Sequence, residues 1–460
     1  MKNYHFYSTR PLVGPYEFIV KSCVKNFQKD FKNSIKISIF KPKRLLDLRL
    51  NFFFIKTVIE ILFFNKDMIN IKYQNIDLST HILSQTFKDY RSYTSKYYYY
   101  KNYILNLNRA LRIIYNTNKI KKNVVASYIY HGMYLNGILF QIFLKEKITI
   151  YSNNLPRGLF RINYSKKNRN LKYGDFLMFN NSYNLEKKLI KKTNHSLEKI
   201  IYKNQILPWI KKTKFKKINN IDYSQFTHIV YAHSFTDAQL IFGKDGFKNS
   251  KEWLLFTLSE LLKVDENKIL LKAHPNFYNK HMGKQAIWDK KIFHLLKNEI
   301  QKNNNLIILD TPTKNYEMLK KLNKNTILIS HHSNALLEGI YFGFKCISSE
   351  KIFWKCSKLK LTNFWSDKFE YTKLLKKNWS KLKFANEKDF NSLLFEYLIS
   401  DYNVGGKKYF LTIVKNILNI RNKDEVYKLE TFATFLRKNN NNFKKIISSI
   451  ANNIDEIKLK

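Results

Sequence analysis

From residue 225 to residue 350, short apolar runs alternate with longer stretches in which apolar residues recur every three or four positions. The first pattern suits a strand covered on both faces and the second a helix laid across it, so the region predicts a doubly wound parallel sheet. Strands are predicted in FTHIVYAH (226–233), KILLKAHP (268–275), NLIILD (305–310), NTILIS (325–330) and KCISS (345–349). The helices between them are SKEWLLFTLSELLK (250–263), a segment across 285–303, NYEMLKKLN (315–323) and NALLEGIYF (334–342).

The earlier half is less regular. Its clearest unit, 123–152, reads strand, helix, strand, with His131 and Gly132 at the carboxyl end of the first strand and Gly137 inside the helix. That βαβ pattern predicts a second α/β domain over 1–215, a Lys-rich linker within 209–224, an α/β domain over 220–375 and a helical segment over 376–460. NFFFIKTVIEILFF (51–64) is too short to cross a bilayer and carries Lys56 and Glu60. It predicts a buried helix, with membrane contact as the alternative.

A chain of 460 residues with 44% hydrophobic content can bury more than one core. The formal charge of +47 suggests an anionic partner, yet 71 of the 82 basic residues are Lys and only 11 are Arg, the better reader of bases and phosphates. Lys, Asn, Ile and Tyr are spread throughout, as an AT-rich coding genome would impose. Nucleic acid is therefore not expected as a partner, although SKYYYYKNY (95–103) resembles a stacking platform; a helix or strand packing role is expected for it instead. Three cysteines, Cys23, Cys346 and Cys356, form neither a disulfide framework nor a paired zinc site. With no signal-peptide core or membrane span, a cytoplasmic protein is expected, with peripheral contact at the anionic inner face of the membrane possible for so basic a chain.

In an open parallel sheet, ligands bind beyond the carboxyl ends of the strands. Those ends carry AHSFTDAQ (232–239), AHPN (273–276), DTPTKNY (310–316) and SHHSNALLEG (330–339). In the last loop Ser333 stands where a helix N-cap is expected, so that its hydroxyl and the first-turn amides could hold a phosphate, and Glu338 lies one turn on, where it could accept from a ribose. The alternatives are local: a capping Ser333, a solvated Glu338, a His274 confined to a turn by Pro275, and N-cap or turn roles for His233 and Asp237. No phosphate loop, dinucleotide fingerprint, HExxH or nucleophile elbow occurs. Neither a cofactor nor a protein-bound metal is expected.

The order KAHPN, LDTPTKNYEMLKK, ILISHHSNALLEGIYFGFKCI resembles the donor-binding half of GT-B glycosyltransferases of bacterial surface-polysaccharide synthesis, the capsule group that includes Kdo and sialic acid transferases. The resemblance covers 225–350 and extends only in outline to the earlier half. It implies a GT-B-like α/β fold, two Rossmann-like doubly wound domains facing a cleft with C-terminal helices, and transfer of a sugar from a nucleotide-activated donor to a saccharide or lipid-linked acceptor. By the same resemblance His274, with Pro275 and Asn276, and Ser333, with His332 and Asn334, would hold the donor phosphate, and Glu338 would be the donor-side glutamate. His233, Ser234, Thr311 and Lys272 would line the cleft beside them. Asp237 and His131 are the candidate bases, with His274 acting on the leaving group. The motif departs from the group at GFKCI, where Cys346 stands in place of a proline. Polyol-phosphate transferases share the fold and a comparable HPN, leaving that activity as an alternative beside a basic nucleic-acid-binding protein and a sheet scaffold without catalysis.

Overall fold

The computed structural model describes residues 4–8, 35–36, 47–64, 68–129, 132–154, 158–162, 184–185, 187–203, 215, 221–237, 239–240, 243–279, 283–300, 303–351 and 359–394. They fall into two compact units. The first takes its described residues from Met1–Thr86 and Lys96–Leu177, the second from Phe87–Ser95 and Met178–Leu398. The short piece Phe87–Ser95 belongs to the second unit.

The first unit holds a five-stranded sheet and a small hairpin. Its strands in chain order are β1 (Tyr4–Ser8), β2 (Ile35–Lys36), β3 (Lys72–Tyr73), β4 (Ile76–Asp77), β5 (Val124–Ile129), β6 (Thr149–Asn154) and β7 (Gly158–Ile162). β3 and β4 pair with each other, and the sheet order is β2-β1-β5-β6-β7, parallel except for the antiparallel edge strand β7. The predicted βαβ unit is β5, the helix Asn136–Lys145 and β6. That helix is buried from Asn136 to Leu144, and a β-carbon on Gly137 would lie 1.9 Å from the ring of the buried His81, so only glycine fits there. The tyrosine run 97–100 lies in the first turns of the helix Lys96–Ile120, which buries Tyr103 in the unit's core.

One expectation fails in this unit. The helix Leu48–Phe63 forms, capped by Asp47, which accepts from the Leu50 amide, but it is not buried. Leu50, Thr57 and Ile61 face inward, while Phe52, Ile55, Ile59, Leu62 and Phe63 are exposed. Its sequence is apolar nearly all round, so periodicity could not tell which face would be covered.

The second unit contains the doubly wound sheet. Its strands β8 (His228–Tyr231), β9 (Ile269–Lys272), β10 (Leu306–Leu309), β11 (Ile327–Ser330), β12 (Lys345–Ser349) and β13 (Asn363–Trp365) are all parallel, in the order β10-β9-β8-β11-β12-β13. The chain winds outward from β8 in one direction and then, from β11, in the other, as in the dinucleotide-type fold. Crossover helices Ser250–Leu261, Lys284–Ile300, Asn315–Leu319 and Ala335–Tyr341 match the sequence pattern. The first starts at Asn249, which accepts from the Glu252 amide at 2.9 Å, while Glu252 accepts from the Lys248 amide at 2.8 Å. Val230, Leu271, Ile329 and Ile347 from the strands meet Trp253, Phe293, Leu296 and Trp365 in one core. The α/β class and the two-sheet architecture thus agree with the sequence reading. Helix Lys368–Leu375 follows β13, and Glu387–Leu394 lies within 376–460, the segment expected to be helical; 395–460 lie outside the described residues.

Overpacking a buried helix contact costs about 1–3 kcal/mol. Gly137→Ala should therefore destabilise the protein by that amount in chemical denaturation, and Gly137→Ala combined with His81→Ala should lose less than the sum of the two single changes.

Candidate functional site

Parallel register aligns Leu309, Lys272, Tyr231, Ser330 and Ser348 in one row across the carboxyl edge of the second sheet. The ladder runs one step further, with the Ala273 amide donating to the Leu309 carbonyl at 3.0 Å and the Ala232 amide to the Lys272 carbonyl at 2.9 Å. Two residues past the row stand Thr311, His274, His233 and His332, one from each of four neighbouring strands. Successive side chains on a strand alternate in direction, so a two-residue step returns them to the same face. The ring centroids of His233 and His332 lie 4.0 Å apart, and those of His233 and His274 lie 5.8 Å apart. His233 and His332 flank the point between β8 and β11 where the winding reverses, which is where an open α/β sheet forms its ligand crevice.

Each imidazole is held by a different neighbour. His274 Nδ1 accepts the Asn276 amide at 3.2 Å and caps the single turn Pro275–Tyr278, in which Pro275 has no amide to lose. With Nδ1 an acceptor, the neutral ring carries its proton on Nε2. Capping the turn and presenting a donor are therefore compatible uses of one ring. His332 Nδ1 contacts His331 Nδ1, and His331 Nε2 lies 2.8 Å from Asp245 Oδ2. Asp245 also accepts from the Ser349 hydroxyl. Burial alone would raise the Asp245 pKa, but His331 and those hydrogen bonds outweigh it and hold the carboxyl below its usual range. Gly246 makes this possible: it sits at φ +94°, and a β-carbon there would lie 2.7 Å from the Lys368 nitrogen.

Burial pushes all three edge imidazoles down. His274 falls to about 4, with Asp237 opposing and Lys272 adding to the shift. His233 and His332 are lowered by burial and by one another's neighbourhood of rings. At neutral pH these are neutral donors and acceptors. Lys272 donates to the Thr313 carbonyl at 3.0 Å and, more distantly, to Asn315 Oδ1 at 3.4 Å, and burial pushes it down to about 8 against the opposing charge of Glu338. Glu338 accepts from Asn315 Nδ2 at 2.9 Å; burial raises its pKa, while Asn315 and Lys272 oppose that. It is thus tied into a polar network beside the strand ends, unlike a solvated helix residue. His233 Nδ1, Asn276 Oδ1, Thr311 Oγ1 and Thr313 Oγ1 are buried at this edge with no hydrogen-bond partner. Leaving such a group unpaired costs about 1–3 kcal/mol, and four of them gather at this one edge.

Other candidates have more local duties. Ser234 Oγ donates to Asp289 Oδ2 at 2.5 Å, and the Thr236 amide and hydroxyl donate to Asp289 Oδ1 at 2.8 Å each. Asp289, which burial pushes up to about 7 against these bonds, thereby pins the turn that ends at the exposed Asp237. Ser333 Oγ accepts the Ala335 amide at 3.2 Å and so caps the first turn as expected, while Asn334, already at helical angles, makes no side-chain cap bond. The helix that follows has seven residues. His131 lies outside the described residues. Among the described residues, no group of three or more His, Cys, Asp or Glu is disposed to hold a metal ion.

Sequence reasoning missed Asp245, His331 and Asp289. The first had a signal, an aspartate between two glycines in GKDG, and His331 was visible beside His332. Asp289 had none, being one carboxylate among the polar residues of a helix.

With its strand order and edge, the second unit is a doubly wound α/β domain of the nucleotide-fold type. No family model matches the chain, and no curated protein matches it by sequence. Similar solved structures include Thermosulfurimonas dismutans KpsC, a beta Kdo 2,4 transferase, at 10% identity over 59% of this chain and 79% of that one, with a TM-score of 0.38. Another is the Methanocaldococcus jannaschii UDP-GlcNAc 2-epimerase in complex with UDP-GlcNAc and UDP, at 11% identity over 86% and 98% of the two chains, TM-score 0.29. The S. aureus MnaA-UDP co-structure is similar at 10% identity over 92% and 99%, TM-score 0.27.

A histidine whose folded pKa lies below its unfolded value leaves stability intact above the unfolded pKa and removes it as pH falls toward the folded one. His274 and the buried His228, at the opposite end of β8, are both held at about 4 by burial. The melting temperature should therefore fall as pH drops from about 6.5 toward 4. His228→Gln should flatten part of that fall in a pH series of melting curves.

Proposed function

We propose that the protein is a glycosyltransferase that takes a sugar from a nucleotide-activated donor to a growing surface saccharide or a lipid-linked acceptor. The observation that carries the reading is the line of Thr311, His274, His233 and His332 two residues past one registered row, beside buried polar atoms that lack partners. Imidazole donors in a dry edge suit a group that carries negative charge in the transition state, the leaving phosphate of a nucleotide. His274 would donate from Nε2 to a phosphate oxygen, with Asn276, Ser333 and Asn334 on the flanking turns and Glu338 toward the ribose.

In this reading the sugar's anomeric carbon loses its bond to the donor phosphate as the acceptor hydroxyl attacks, and a base takes the hydroxyl proton. Asp237 is the nominee, because it is exposed at the end of the pinned turn and acts electrostatically on His274. A phosphate oxygen accepting from Nε2 leaves Nδ1 to the Asn276 amide, so the neutral ring serves both and nucleotide binding needs no proton uptake at His274.

The test separates the two uses of His274. His274→Ala removes both the turn cap and the donor; it should lower transfer from a labelled nucleotide sugar about a hundredfold and cost about 1 kcal/mol of stability. His274→Asn keeps a capping oxygen and a shorter donor, so stability should return while transfer stays between wild type and Ala. Full transfer by His274→Ala would reduce the residue to a turn cap. In parallel, a melting panel of CMP, CDP, UDP and GDP should show stabilisation by one of them, about 2.7 kcal/mol at a hundred times its dissociation constant. A response to CDP alone would favour the polyol-phosphate alternative.

A further inference from the structure

We infer that the exposed face of the helix Leu48–Phe63 is a docking surface for an anionic lipid bilayer. The inner side of this helix is accounted for: Leu50 and Ile61 are buried, Phe53 meets Tyr73 edge to face at 4.9 Å, and the helix packs on Lys96–Ile120. Its outer side is not. Leu48 is 85% exposed, Phe52 70%, Ile55 57%, Phe63 75% and the following Phe64 74%, with Ile59 and Leu62 exposed between them. Positions 48, 52, 55, 59, 62 and 63 follow the helical repeat, so these side chains form one stripe running the length of the helix. Scattered exposed apolar residues need no explanation, but a contiguous stripe with aromatic residues at its end marks a contact surface.

Charge selects the occupant. Arg49 and Lys56 are exposed alongside the stripe, and the helix contains one carboxylate, Glu60, which lies 4.0 Å from Lys56. The adjoining sequence reads KPKR at 41–44 and carries Lys66, against two flanking carboxylates, the capping Asp47 and Asp67, within a chain of net charge +47. A second copy of the chain would set these cations against their own kind, whereas anionic headgroups complement them. The helix has 16 residues and so is about 24 Å long, too short to span a hydrocarbon core of about 30 Å. It suits a helix lying in the interface, with Phe52, Ile55, Ile59 and Phe63 sunk among the acyl chains and Arg49 and Lys56 at headgroup level. This surface does not depend on the transferase reading and would stand if that reading fell.

The experiment uses the purified full chain in flotation with vesicles of phosphatidylcholine alone and of phosphatidylcholine mixed equally with phosphatidylglycerol. Binding is expected to the mixed vesicles and to weaken with salt. Phe52→Ser with Phe63→Ser should reduce the partition coefficient at least about tenfold while the melting curve holds, because the two rings are solvent-facing; Lys56→Glu should reduce it less. Hydroxyl-radical footprinting of the unaltered chain covers the case of a misfolded variant: Phe52, Phe63 and Phe64 should lose reactivity when mixed vesicles are added. Unchanged reactivity, or equal binding by the serine variant, would overturn the inference. So would a serine variant that changes the protein's mass in solution without changing vesicle binding, because the face would then join copies of the chain.

Discussion

The parallel pairing of β8 with β11, which sets Tyr231 opposite Ser330, is the constraint from which the candidate site follows. These strands are almost a hundred residues apart in sequence, and they meet because each half of the sheet winds away from the other. That reversal leaves no crossover helix over the junction, so the turns after β8 and β11 face each other. One residue of slip in either pairing would turn His233 or His332 to the other face and dissolve the line they form with His274.

The polar groups behind this edge are arranged to keep it neutral yet hydrogen-bonding. Asp245 and His331 form a buried contact against Trp253 and Trp365, from which His332 is reached through a ring nitrogen. Lys272 and Glu338 hold opposite charges in a second network through Thr313 and Asn315. Each network places a formal charge one step back from the surface and leaves imidazoles and hydroxyls at the front. His228 warns against reading function from a shifted pKa alone. It is depressed as far as His274, but it sits at the amino end of its strand, where its ring meets the Thr227 hydroxyl.

Most of the second unit was legible in the sequence because its strands are short, apolar and separated by helices of distinct period; β9 and β11 end within a few residues of the predicted limits. The edge residues were legible for the same reason, since a histidine after an apolar run can only lie where the strand stops. What escaped was tertiary. Asp289 reaches the 234–236 turn from a helix more than fifty residues on, and no periodicity encodes that contact. The helix at 48–63 was found but its environment was misjudged, because an apolar helix looks the same in sequence whether its second face meets protein or another apolar phase.

The central claim is that the histidine edge of the second sheet receives a nucleotide phosphate. Nitrogen-15 spectra of the imidazoles during titration with a nucleoside diphosphate test it most directly. The account predicts that His274 carries its proton on Nε2 with Nδ1 accepting, and that its Nε2 signal shifts as ligand is added while the signals of His228 stay fixed. Saturating ligand that leaves the His233, His274 and His332 signals unmoved would contradict it.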